Sequence, residues 1–263
     1  AENIAIKGSL CQKEGQLEEA VFYYQQALNE NPNLQQVHYN LGIVLYQQGD
    51  LLEAYQSYKK AIALQPDDVN GYYNLGLVLQ NQGLFAEAID SYQQVINLSK
   101  IENSNHHDSV VNSYNNWGCI LLQENQTDAA ISVFKKALLL KPDDFTIYNN
   151  IGQALLQKSQ LDQGISYLEK SLKLEPLFTT AIHHLGKAYQ TQGLHQEAVE
   201  YFQQIIKLEP ENLTAYSESF YSLMEQGKFS EAMTNLQKVI QNNSFFEGYC
   251  KWGSLLAEST DEL

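Results

Sequence analysis

Arginine is missing from the 263 residues: all 16 basic side chains are Lys, set against 31 Asp plus Glu, for a formal charge of −15. So acidic a surface repels nucleic acid and anionic lipid, and without the planar guanidinium fork it lacks the group best suited to phosphate. Nucleic-acid binding and polybasic membrane anchoring are therefore excluded. Long apolar runs are also scarce. Stretches such as Ala137 to Leu140 fall far short of the roughly 18 to 20 residues that cross a bilayer, so no membrane insertion is expected. The start, Ala1-Glu2-Asn3-Ile4, has no basic segment ahead of an apolar core and no Met, which fits a processed or excised piece. Three widely spaced cysteines, Cys11, Cys119 and Cys250, make neither a disulfide framework nor a zinc site, and point to a reducing cytoplasm. Disorder is excluded in turn, because 44% of residues are hydrophobic and can bury a core.

What is present is a repeat. An apolar or aromatic residue precedes Gly at Leu41-Gly42, Leu75-Gly76, Trp117-Gly118, Ile151-Gly152 and Leu185-Gly186, and Gly8 extends the series. By subtraction the glycines lie 34, 34, 42, 34 and 34 residues apart. Twelve positions after each stands Ala20, Ala54, Ala88, Ala130, Gly164 or Ala198, with Ala232 continuing the series. Four positions later come Tyr24, Tyr58, Tyr92, Phe134, Leu168, Phe202 and Leu236. The chain's five prolines, at 32, 66, 142, 176 and 210, close most of the repeats.

Gly within a helix costs about 1 kcal/mol relative to Ala, so its return at one fixed place predicts a helix crossing too close for a side chain. Gly15, Gly49, Gly83, Gly193 and Gly227 are expected to end the first helix of each pair at positive φ. Asp67, Asp68, Asp143, Asp144, Glu211 and Asn212 are candidate caps for the helix that follows each Pro. The pattern resembles the tetratricopeptide repeat family over nearly the whole chain. The resemblance implies an all-α, right-handed solenoid of helix-turn-helix repeats, with the first helix of each lining the concave side. Repeats are expected to start near 1, 35, 69, 111, 145, 179 and 213 and to fill 1–245, followed by a capping helix and acidic tail at 246–263. Eight extra residues fall near 101–109, where His106, His107 and Asp108 read as a solvated insertion rather than metal ligands. The insertion should change the local geometry and offers a further contact for a partner.

Numbering the Gly position as place eight, place six of successive repeats holds Asn40, Asn74, Asn116 and Asn150, then His184. Mid-helix Asn is mildly unfavourable and packing does not need it here. An amide both donates and accepts, so a file of them can hold the main chain of an extended peptide whatever its sequence. The row is similar to the asparagine ladder of O-GlcNAc transferases, in which it grips protein substrates by the backbone; His184 departs from it. The competing reading is that the amides bond neighbouring repeats or water. Place five reads Tyr39, Tyr73, Asn115, Asn149 and His183, and Ile43 and Leu77 lie one turn beyond the two tyrosines. They form an expected apolar patch beside the first amides, unless these side chains pack between helices instead. The Lys-rich pattern with which co-chaperone relatives grip a carboxylate tail is missing at places two, five and six.

No phosphate loop, HExxH or GxSxG is present, and Cys119 with His106 or His107 makes a poor nucleophile pair. The reading is a non-enzymatic module that binds a protein or peptide and needs no cofactor and no metal. Two alternatives stay open: the recognition domain of a larger glycosyl- or methyltransferase, and a self-assembling scaffold.

Overall fold

The computed structural model describes residues 1–102 and 106–241; the expected cap at 246–263 and Cys250 lie outside them. The described residues form fourteen α-helices and no strand. They fall into two compact bodies, Ala1–Pro142 and a second that begins at Asp143. The first holds α1 (Glu2–Lys13), α2 (Leu17–Glu30), α3 (Gln35–Gln48), α4 (Leu51–Leu64), α5 (Val69–Asn81), α6 (Phe85–Glu102), α7 (His107–Gln123) and α8 (Thr127–Leu140). The second holds α9 (Phe145–Gln157), α10 (Leu161–Leu174), α11 (Thr179–Thr191), α12 (His195–Leu208), α13 (Leu213–Glu225) and α14 (Phe229–Gln241).

Within each body every helix packs on the next, as expected of an α-solenoid. In the first body the odd-numbered helices also touch one another, α1 on α3, α3 on α5 and α5 on α7. Successive helices approach most closely on the inside of a curved stack, so these four helices form its inner row.

The glycines at place eight meet rings rather than a bare helix crossing. A Cβ on Gly42, Gly76 or Gly118 would lie 2.8, 2.5 and 2.4 Å from the ring of Tyr58, Tyr92 and Phe134. Those rings, with Tyr24, are buried in the core. Close backbone approach itself appears at Gly152 and Gly164, each 3.1 Å from the other's carbonyl oxygen by the same construction. The missing side chain thus makes room for the large residue sixteen positions on.

Gly49 and Gly83 end their helices at φ +87° and +75°, and Asn125 and Ser159 adopt the same conformation in the two repeats that have no Gly there. Among the candidate caps, Asp68 accepts from Asn70 N, Asp144 from Thr146 N and Ile147 N, and Asn212 from Ala215 N. Asp67, Asp143 and Glu211 sit one residue too early to be the N-cap.

The insertion lengthens both flanking helices. α6 runs 18 residues where α2, α4 and α8 run 14, and α7 runs 17 where α5 runs 13. Each flanking helix gains about one turn, and α7 starts at His107, four residues ahead of the repeat boundary near 111.

Candidate functional site

Asn40, Asn74 and Asn116 lie on α3, α5 and α7 of the inner row, each partly exposed. None is idle within the fold. Asn40 Oδ1 accepts from Gln36 Nε2 at 2.9 Å, and its amide also bonds the Tyr24 hydroxyl. Asn74 Nδ2 donates to the Tyr39 hydroxyl at 2.9 Å. Asn116 Nδ2 reaches the Tyr92 hydroxyl at 3.5 Å and also bonds Tyr73. An amide has two N–H donors and a carbonyl with two lone pairs, so one or two such bonds leave hydrogen-bonding capacity over.

A rule emerges that the repeat pattern alone did not show: place five of one repeat holds place six of the next. Tyr39 holds Asn74 and Tyr73 holds Asn116. In the second body Asn149 Oδ1 accepts from His184 Nδ1–H at 2.8 Å. Burial pushes the Tyr39 and Tyr73 hydroxyls up, and the amide bonds partly offset the rise. The rings of Tyr39 and Tyr73 lean on Tyr58 and Tyr92, with centroids 5.9 and 6.2 Å apart. Both tyrosines and Ile43 pack against the core while staying partly exposed, and Leu77 is partly exposed too. The sequence reading also missed Tyr46, whose hydroxyl accepts from Asn81 Nδ2 at 2.6 Å. The signal was there: Tyr46 and Asn81 repeat Tyr39 and Asn74 two helical turns later.

In the second body, Asn150 stays partly exposed and its Oδ1 accepts from Asn149 Nδ2 at 3.1 Å. Asn149 is 2% exposed, which turns a proposed contact residue into an interior one that orients Asn150 and His184. Burial, then the neighbouring His183, lower the His184 imidazole to about 4, so it is neutral and acts as an amide would. His183 is lowered chiefly by burial and packs its ring 6.0 Å from Phe202. Asn115 is partly exposed on α7.

A cavity of about 500 Å³ opens between α1 and α3 in the first body. Its wall includes Ala5, Ile6, Leu10 and Val37, with Gln36 and Asn40 supplying polar groups. Ile6 and Leu10 are more than half exposed. Such a mixture of apolar wall and a few convergent amides suits a side chain and its adjoining peptide bond.

Catalytic chemistry has no foothold at the residues considered for it. Burial pushes the Cys119 thiol up to about 11, the reverse of an activated nucleophile, and His107 Nε2–H donates to the Leu140 carbonyl at 3.0 Å. Among the described residues no three His, Cys, Asp or Glu come together as metal ligands, and no helix is long and apolar enough to cross a membrane.

Family models described as TPR repeat or tetratricopeptide repeat match residues 8–49, 44–83, 67–141, 115–177 and 179–212. The chain is a tetratricopeptide repeat protein. No curated protein matches it. Among solved structures, a tetratricopeptide repeat protein from Parabacteroides merdae shares 17% identity at a TM-score of 0.73, covering 95% of each chain. MamA from Desulfovibrio magneticus RS-1 shares 24% at 0.58, over 68% of this chain and 96% of that one. YrrB, described as a TPR protein with an unusual peptide-binding site, shares 21% at 0.54, over 73% and 95%. At these identities the likeness is one of fold.

Proposed function

We propose that this tetratricopeptide repeat chain is a protein-interaction module whose inner row accepts an extended polypeptide. Asn40, Asn74 and Asn116 contact its main chain in the first body, and Asn150 offers the same group in the second. Tyr39 and Tyr73 play two parts, holding the next amide through the hydroxyl and presenting a ring edge beside Ile43 and Leu77 to an apolar side chain. The observation that carries this reading is the partial exposure of three amides on successive inner helices, one per repeat, the first of them in the wall of a cavity that mixes apolar and polar side chains. Main-chain recognition needs evenly spaced donors and acceptors, and a repeat supplies them without specifying the partner's sequence. Cys11 and Cys119 form no disulfide, which suits a reducing, cytoplasmic setting.

The test uses peptides selected on the full chain from a random dodecapeptide library. Replacing Asn40, Asn74 and Asn116 together by Ala should leave helicity intact and weaken the selected peptides at least about tenfold, the scale of one or two lost hydrogen bonds. Unchanged affinity in calorimetry, with the fold preserved, would show that the amides serve only the stacking of repeats.

A further inference from the structure

A second surface, at the insertion, differs in character from the inner row. The C-terminal ends of α6 and α8 and the first turn of α7 enclose a groove of about 400 Å³. Of its described lining residues, Ser99, Lys100, His107 and Val110 lie on the extra turn that α6 and α7 each carry, and His106 immediately precedes α7. The floor is apolar, made by Ile96, Tyr114, Leu139 and Leu140. Leu139 is 82% exposed, an open aliphatic side chain with nothing of its own repeat to cover it. His107 ties the added turn down through its bond to the Leu140 carbonyl, so the wall is fixed against α8.

The charge at this groove opposes that of the chain. Carboxylates outnumber Lys by 31 to 16 overall, yet among the described residues the lining holds Lys100, Lys136 and two histidines and no Asp or Glu. By contrast Glu2 shares the inner-row cavity with Lys13, and the groove beside Gly15 is lined by Glu18 and Glu19. Lys136 is held with its ammonium 6.0 Å above the Trp117 ring, a placement that favours a fixed cation.

We propose that this groove is a docking site for a partner polypeptide segment that places an aliphatic side chain on Leu139, Leu140 and Ile96 and adjacent carboxylates against Lys100 and Lys136. An acidic and apolar segment would be repelled by most of this molecule and accepted here, so the groove supplies specificity that a main-chain-reading amide row cannot. The proposal is independent of that row. It also gives the insertion a purpose: the turns it adds to α6 and α7 line the groove.

The same dodecapeptide selection tests it on the full chain, with Leu139→Asp and Lys100→Glu as counter-targets. Both positions are exposed, so both variants should fold, which circular dichroism checks. The expected result is a pool that loses at least about tenfold in affinity on either variant. That pool should be rich in Leu, Ile or Phe next to Asp or Glu, and unaffected by the triple Asn→Ala substitution. The proposal is overturned if no selected peptide depends on the groove, or if those that do are basic or polar. It is likewise overturned if light scattering finds the chain self-associating through Leu139, or if dodecanoate saturates the groove while no peptide enters it.

Discussion

The relation between place eight and the ring sixteen residues on can be tested as a thermodynamic cycle, and Gly118 with Phe134 is the sharpest pair. A Cβ at Gly118 would lie 2.4 Å from Phe134 Cε1 and 2.6 Å from Cδ1, well inside van der Waals contact. Phe134 is fully buried, so its ring has little room to retreat. Overpacking of this kind costs about 1 to 3 kcal/mol, whereas removing Gly from a helix interior returns about 1 kcal/mol. Gly118→Ala should therefore be destabilising by up to about 2 kcal/mol. Phe134→Ala alone should cost about 3 to 5 kcal/mol through the cavity it leaves. In that background the obstacle is gone, and Gly118→Ala should stabilise by about 1 kcal/mol, a reversal of sign. Urea unfolding of the four proteins, followed by far-ultraviolet circular dichroism and by hydrogen exchange of α7 and α8 amides, gives the coupling directly. If Gly118→Ala is harmless in the native background, or equally damaging with and without the ring, the steric account of the repeat's glycine is wrong.

Two further outcomes follow from buried titratable groups. His184 is held near 4, against 6.5 unperturbed, so it is neutral in the folded chain and charges only on unfolding across that window. Its contribution is present above about pH 6.5 and is lost as pH falls toward 4, by at most about 3 kcal/mol. His184→Asn, which restores the row's amide, should flatten the pH dependence of the urea midpoint, and an unaltered pH profile would contradict the burial argument. Cys119, near 11, should react with iodoacetamide at pH 8 roughly two orders of magnitude more slowly than an unhindered thiol, because so little thiolate is present. Peptide mass spectrometry of the labelled chain checks it, and rapid labelling would refute it.

The fold class was legible because its determinants are local and periodic: a Gly at place eight, a small residue twelve later, and Pro at the boundary between helix pairs. What the Gly was for was not legible, since the ring of Phe134 reaches it only after two helices have packed. Asn125 and Ser159 were invisible as left-handed turn residues because Gly, the usual signal, is missing there. The polar run His106-His107-Asp108 reads as loop by composition, yet α7 begins at His107 and runs on through Asp108 into the fourth repeat. At the candidate site the amides announced themselves as residues that packing does not require. Their tyrosine partners did not, because a bond between positions 35 apart, as from Asn74 to Tyr39, depends on how one repeat is set against another. Asn149 shows the same blindness from the other side: it occupies the same place as two partly exposed tyrosines, but the shorter side chain is drawn inside.

The bond from place five to the following place six also bears on how such arrays can be cut and rejoined. An engineer who transplants one complete helix pair carries an amide away from the hydroxyl that aims it and leaves another hydroxyl with nothing to hold. The portable cassette therefore has to span two successive first helices, as α3 through α5 does, which carries Tyr39 together with Asn74.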